Sequence, residues 1–161
     1  MDIETLNRYA AVFSNFEVGE DDPIEKGIPT LHVSVFDHWL SDDEAKSNEI
    51  INYETAISHD RVDEYLKGEE KFSKLYALLS QEGVICNIPP PYRFIDCSDI
   101  NIKRIIVESI REERRFDMYF MAYNVRIIGG FDRTDLFILN EKSKLDKIRE
   151  NITDYGLYIL D

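Results

Sequence analysis

The residues best suited to chemistry lie in one short segment, residues 129–135, with the sequence Gly-Gly-Phe-Asp-Arg-Thr-Asp. Asp132 and Asp135 could act as a general acid and base, and Arg133 between them could hold an anionic ligand. The structural alternative is a hairpin turn in which the Asp side chains accept hydrogen bonds from backbone amides and Arg133 pairs locally. No nucleophile lies nearby, which favours the turn. A small-ligand site or enzyme that uses these residues and Thr134 stays as the alternative.

Catalytic motifs are otherwise absent from the sequence. It contains no glycine-rich phosphate loop, no zinc-protease or serine-hydrolase motif and no paired CxxC. The three histidines, His32, His38 and His59, lack a spacing typical of metal ligands. The sequence therefore predicts a protein that is not an enzyme and that uses no metal or cofactor.

A dense acidic segment spans residues 37–70, with eleven Asp or Glu against three Lys or Arg. Such a segment usually forms a solvated helix face. Aromatic residues are interleaved with the acids here, and a negative field with aromatic anchors is suited to capturing a basic protein partner. The residues predicted to contact that partner are Asp37, Trp39, Asp42, Asp43, Tyr53, Asp60, Asp63, Glu64 and Tyr65.

The distribution of charge also favours a protein partner over a nucleic acid. The formal net charge is −13, and residues 1–83 hold nineteen acidic against seven basic residues, whereas residues 84–161 hold thirteen against twelve. Proteins bind phosphate backbones with clusters of Lys and Arg, so direct contact with nucleic acid is not expected. The acidic excess predicts that the first half of the chain faces the partner.

The sequence also indicates where the protein is found. No stretch approaches the roughly 18 to 20 apolar residues of a membrane span. The N-terminus lacks the basic segment and the cleavage site of a secretory signal peptide. The two cysteines, Cys86 and Cys97, lie among apolar residues without CxxC spacing, which predicts buried, reduced thiols. We therefore expect a soluble, cytoplasmic protein that does not contact membranes.

The elements expected in residues 1–83 are mainly helical. Apolar residues at Ile3, Leu6, Ala10 and Phe13 fall at helical spacing, and Ser41 begins a capping box with the sequence Ser-Asp-Asp-Glu. Gly68 is expected to end one helix and Gly83 another. These patterns predict helices at 3–15, 41–57, 62–66 and 72–79, a loop at 19–23 and a strand at 31–35.

The elements expected in residues 84–161 are mainly strands. The patterns predict strands at 92–97, 118–123, 125–131, 136–139 and 157–160, and helices at 102–110 and 145–152. Hairpin-forming strands with helices between others predict an α+β fold, with a mixed or mostly antiparallel sheet covered by helices on one face. At 161 residues the chain is expected to form a single domain, residues 1–161.

The order of elements in the second half resembles the end of a small bacterial family of uncharacterised proteins. The shared order is strand, helix, strand, a turn containing an aromatic residue, Asp and Arg, then strand, helix and closing strand. This resemblance covers about half of the chain and implies a fold rather than an activity. The matching segments are residues 92–95, 102–110, 118–120, 131–135 and 155–161.

In overall character the chain is similar to immunity proteins of bacterial toxin systems, including those of contact-dependent growth inhibition. Its small size, its acidity and its lack of a catalytic motif carry this similarity. The resemblance implies that the protein binds and neutralises a cognate toxin with a basic surface, above all a nuclease, whose phosphate-binding cleft a carboxylate-rich surface can fill. An intracellular regulatory or assembly subunit with the same acidic surface is a further alternative.

Overall fold

The computed structural model describes residues 1–13 and 27–160. None of the helices in these ranges is long and apolar enough to cross a membrane. The loop predicted at 19–23, and residues 14 and 15 of the first predicted helix, lie outside the described residues. The α-helices are α1 (Ile3–Val12), α2 (Asp42–Ser47), α3 (Tyr53–Ser58), α4 (Val62–Leu79), α5 (Asn101–Ile110) and α6 (Leu145–Asp154). The strands are β1 (Thr30–Ser34), β2 (Val84–Cys86), β3 (Arg93–Ile95), β4 (Asp117–Phe120), β5 (Val125–Ile128), β6 (Thr134–Leu139) and β7 (Tyr158–Leu160).

The strands pair into one antiparallel sheet in the order β3-β2-β4-β5-β6-β1-β7. Strands β4, β5 and β6 follow one another as neighbours, as their short, turn-separated pattern predicts. Strand β1 comes from the acidic half of the chain and lies between β6 and β7, with Val33 opposite both Asp135 and Ile159. The sheet therefore joins both halves of the chain, and the predicted α+β fold is confirmed.

Alternating side chains give the sheet an apolar core on each face. The larger core contains buried residues of α4, α5 and α6. On the opposite face, Ile85, Tyr119 and Ile138 pack against Tyr9 of α1 and against Phe13, the residue that follows α1, and both of these rings lie 5.1 Å from that of Tyr119. The prediction that helices cover only one face was wrong, because these large apolar side chains on the second face also require burial.

Helix α1 buries a different face from the one predicted. Ile3 is 78% exposed and Leu6 is also exposed, whereas Thr5 and Tyr9 are buried. The Thr5 hydroxyl accepts a hydrogen bond of 3.1 Å from the backbone N–H of Phe94 in the edge strand β3. The aliphatic spacing was misleading because a Tyr ring offers more apolar surface for burial than the aliphatic residues beside it.

The predicted helix at 41–57 consists of two short helices. The capping box is confirmed: Ser41 Oγ accepts from the Glu44 N–H at 3.3 Å, and the Glu44 carboxylate accepts from the Ser41 N–H at 2.8 Å. Asn48 ends α2, and the side chain of Asn52 caps the start of α3. Two asparagines therefore interrupt the helix, because their side chains bond to the backbone in competition with helical hydrogen bonds.

Gly68 lies inside the continuous helix α4, where the sequence predicted a break between two helices. A Cβ atom at this position would lie 1.9 Å from Arg133 Nη2 and 2.9 Å from Val35 Cγ1. The glycine therefore allows the β5–β6 turn to approach the helix closely, and it does not end the helix.

The two cysteines differ in their environments. Cys86 in β2 is buried and Cys97 is exposed, and both thiols are free. The reduced state of the thiols stays a prediction, whereas the prediction that both are buried was wrong for Cys97, which follows the edge strand β3.

Candidate functional site

Most of the predicted acidic contact residues are exposed, on α2 and around the start of α4, and we refer to these exposed residues together as the acidic face. Asp37, Asp42, Asp43, Asp60 and Asp63 are all exposed. The capping box orients the start of α2, so that Asp42 and Asp43 lie in its first turn, where the helix dipole favours carboxylates. Hydrogen bonds from the Ser41 backbone and hydroxyl lower the pKa of neighbouring Glu44 to about 2, so Glu44 keeps its charge in mildly acidic solution.

One basic residue reduces the charge at the edge of the acidic face. The Arg61 guanidinium lies 2.7 Å from a Glu49 carboxylate oxygen and also forms a short ion pair with Glu64. Glu64, predicted as a partner contact, therefore already shares its charge with Arg61. The carboxylates of Asp42, Asp43 and Asp63 are the stronger candidates for contact with a basic partner.

The three aromatic residues predicted as anchors have different environments. Trp39 is 51% exposed and contacts the His32 ring edge-on. Tyr53 is partly buried, with the Arg111 guanidinium 4.1 Å above its ring. Tyr65 is fully buried, and its hydroxyl donates a hydrogen bond of 2.8 Å to the Ile110 carbonyl. The prediction of Tyr65 as a contact was wrong, because this ring belongs to the core.

The segment predicted as the alternative ligand site is the turn between β5 and β6. Asp132 and Arg133 both have positive φ, +51° and +57°, as in the tight turns that match the twist of paired strands. Asp132 is exposed, and its backbone N–H donates to the Glu112 carboxylate at 2.9 Å. Gly130 permits the close approach of the turn, since a Cβ there would lie 1.8 Å from the Thr134 carbonyl oxygen.

The Arg133 side chain points into the protein instead of toward a ligand. Its guanidinium donates to the carbonyl of Tyr65 at 2.8 Å and to that of Ile50 at 3.3 Å, and it lies 4.2 Å above the Tyr65 ring. Burial lowers the pKa of Arg133. Arg133 therefore connects the turn to α4, the start of which carries part of the acidic face, and to the segment that follows α2.

The Asp135 carboxylate is also buried. It accepts a hydrogen bond of 2.8 Å from the Gly130 N–H and a short hydrogen bond from the Tyr76 hydroxyl. Burial raises the pKa of Asp135. Asp132, Arg133 and Asp135 thus point to solvent, to α4 and to Tyr76 respectively, so the three groups do not converge on one ligand, and the turn interpretation agrees better with the geometry.

The sheet register brings the two candidate regions together. Ser34, the last residue of β1, pairs with Thr134, the first residue of β6, and their hydroxyls lie 2.9 Å apart. The segment that follows β1 and the turn that precedes β6 therefore leave the sheet side by side. A small cavity of about 90 Å³ lies between them, lined by Phe36, His38, Trp39, Leu40, Phe131, Asp132, Thr134 and Leu160.

Phe131 is a candidate contact that the sequence reasoning did not select. Its side chain is 57% exposed and stacks with Arg115, whose guanidinium lies 4.6 Å from the ring centre. It lines the same cavity as Trp39. The sequence shows only that an aromatic residue lies directly before the turn. The position of Phe131 beside the same cavity as Trp39 depends on strand pairing between distant segments.

His38 lies between two carboxylates at the rim of this cavity. Its Nδ1 is 2.7 Å from an Asp37 oxygen and its Nε2 is 3.1 Å from a Glu44 oxygen. These hydrogen bonds raise the pKa of His38. His38 and His32 are thus engaged in local contacts, and within residues 1–13 and 27–160 no group of three potential ligands is arranged to hold a metal ion.

Comparisons with known proteins give no relative for this chain: no family model, no curated protein and no solved structure matches it. Its candidate function therefore depends on the chemistry of its surface.

Proposed function

We propose that this chain is an immunity-type protein that binds and neutralises a cognate bacterial toxin, with a nuclease as the favoured toxin. The observation that carries the proposal is the exposed acidic face beside two exposed aromatic side chains, Trp39 and Phe131. Exposed carboxylates accelerate the encounter with a basic surface, and desolvated aromatic residues supply much of the binding energy once the complex has formed.

A nuclease fits this surface better than other toxins do. An enzyme that holds a phosphate backbone needs a cleft lined with Lys and Arg. The carboxylates of Asp42, Asp43, Asp60 and Asp63 would occupy that cleft in place of phosphates, and Trp39 would pack at its edge. In this proposal the protein acts in the cytoplasm, blocks access of nucleic acid to the toxin and does not itself bind nucleic acid.

The proposal is tested by charge reversal. Tagged wild-type protein and the variant D42K/D43K/D60K/D63K are used in parallel to capture partners from a lysate of the source organism, with washes at low and high salt. We expect the wild type to retain a basic protein that elutes as salt rises, and the variant to bind it about 100-fold more weakly. The captured protein is then assayed for nuclease activity with and without the wild-type chain.

A matched control has the same change in charge away from the acidic face. Glu82, Glu113, Asp146 and Asp154 are all exposed, and their replacement by Lys changes the net charge equally. The control variant should keep the partner. Equal loss in both variants would mean that net charge alone governs capture, and a captured protein whose toxic activity is not inhibited would contradict the immunity role.

A further inference from the structure

The cavity between Trp39 and Phe131 combines two chemical features. Its lining residues include the aromatic residues Phe36, Trp39 and Phe131 and the exposed acidic residue Asp132. His38, also in the lining, brings the carboxylates of Asp37 and Glu44 to within hydrogen-bonding distance of its own ring. An aromatic surface beside negative charge is an arrangement that attracts organic cations.

The dimensions of the cavity limit what can enter it. A volume of about 90 Å³ is far below the roughly 300 to 1,000 Å³ of sites that enclose a small-molecule ligand. It is suited to the end of one side chain. Guanidinium is planar, weakly hydrated and stacks on aromatic faces, so it matches these walls better than the compact, strongly hydrated ammonium of Lys does.

We propose that this cavity, the Trp39–Phe131 socket, receives one arginine side chain of the protein partner. The proposal rests on the proposed function, because it assumes a basic protein partner, and it adds the group that this partner inserts. The guanidinium stacks between the two exposed rings and pairs with Asp132. Arg115 already stacks on Phe131 at 4.6 Å, which shows that this ring accepts a guanidinium within the protein itself.

The other charged groups around the socket affect the guest. Asp132, Asp37 and Glu44 attract it, whereas protonated His38 and Arg115, which stacks on Phe131, repel it. His32 contacts Trp39 from the side, and the Glu112 carboxylate is bonded to the Asp132 backbone. Binding of arginine therefore competes with protonation of His38, and the socket is expected to bind more tightly as pH rises through the pKa of His38.

The socket can be tested without the partner. We would titrate the isotope-labelled full chain with N-acetyl-arginine amide at constant ionic strength and follow the Trp39 indole N–H and the Asp132 amide by NMR. N-acetyl-citrulline amide is the control ligand, with nearly the same shape and no charge. We expect saturable shifts at both groups with arginine, and affinity at least about ten-fold weaker with citrulline.

Matched variants assign the effect to the socket. D132N removes the charge and keeps a residue that tolerates positive φ, whereas D154N removes an exposed charge outside both the cavity and the acidic face. D132N and F131A should each weaken arginine binding, and D154N should leave it unchanged. Equal shifts over the whole acidic face, or equal binding of arginine and citrulline, would overturn the proposal.

The test separates this proposal from the immunity role. If D132N and F131A bind the captured toxin as tightly as the wild type does while D42K/D43K/D60K/D63K does not, the socket is wrong and the proposed function stands. If the socket binds arginine amide but no toxin is inhibited, the immunity role is wrong and the arginine-binding socket stands.

Discussion

The acidic face and the β5–β6 turn carry the same residue types but use them in opposite ways. On the acidic face, Asp42, Asp43 and Asp63 are exposed and their carboxylates are available to a partner. In the turn, Arg133 and Asp135 are buried and bond to backbone carbonyls, a backbone amide and a tyrosine hydroxyl. Charged groups exposed to solvent can attract a partner of opposite charge. Buried charged groups instead need hydrogen-bond partners within the protein, and they act by fixing the packing of the segments that they join.

The two regions are also mechanically connected. Arg133 donates to the carbonyl of Tyr65 in α4 and to that of Ile50 in the segment after α2, next to the two helices that bear the acidic face. Asp132 and Phe131, on the same turn, reach the surface beside Trp39. The buried residues of the turn therefore fix the position of its exposed residues relative to the acidic face. We expect substitutions of the buried turn residues to lower stability, and substitutions on the acidic face to weaken binding.

The largest expected effect on stability is at Asp135. In D135A, the Gly130 N–H and the Tyr76 hydroxyl lose their acceptor, so the free energy of unfolding should fall by about 2–4 kcal/mol. Urea denaturation followed by circular dichroism measures the change. The control is D132N in the same turn, which should change stability by less than about 0.5 kcal/mol. Similar losses in both variants would show that the turn does not divide into a buried and an exposed half.

A smaller loss of stability is expected at Gly68. Glycine in a helix is ordinarily improved by alanine, but in G68A the new Cβ meets Arg133 and Val35. We expect a loss of about 1–3 kcal/mol, from the crowding and the displaced Arg133 hydrogen bonds. In an R133A background the crowding at Nη2 is absent, so G68A should cost less there. Thermal denaturation of the wild type, G68A, R133A and G68A/R133A measures how far the two stability losses depend on each other. Additive losses would contradict the close packing of Gly68 against Arg133.

A third prediction concerns pH and binding. The pKa of His38 is raised above 6.5 by its hydrogen bonds to Asp37 and Glu44, and a basic partner nearby would lower it again. Binding then releases a proton, so affinity for the partner should rise several-fold as pH increases through the pKa of His38. H38Q should flatten this dependence, which calorimetry at several pH values measures. H59Q, a change at an exposed histidine outside the socket, is the control and should leave the dependence intact.

Much of the fold could be predicted from local patterns, but the shape of the site could not. The Ser41 capping box and helix α5 depend on neighbouring residues, and both were predicted correctly. Strand β2 was missed, because three residues between Gly83 and a proline segment are too few to show alternation. The burial of Tyr65 and the placement of Trp39 and Phe131 around one cavity depend on packing and on the β1–β6 register, which join residues far apart in the sequence.

The most direct test of the account is the rate of association with the purified partner as a function of ionic strength. Stopped-flow fluorescence of Trp39, the single tryptophan of the chain, reports the encounter at the proposed interface. If the acidic face directs binding, the association rate of the wild type should fall at least about ten-fold between roughly 20 and 500 mM NaCl. That of D42K/D43K/D60K/D63K should be slow and nearly independent of salt. An association rate that is flat for the wild type, or equal in the two proteins, would contradict the claim that this face captures a basic partner.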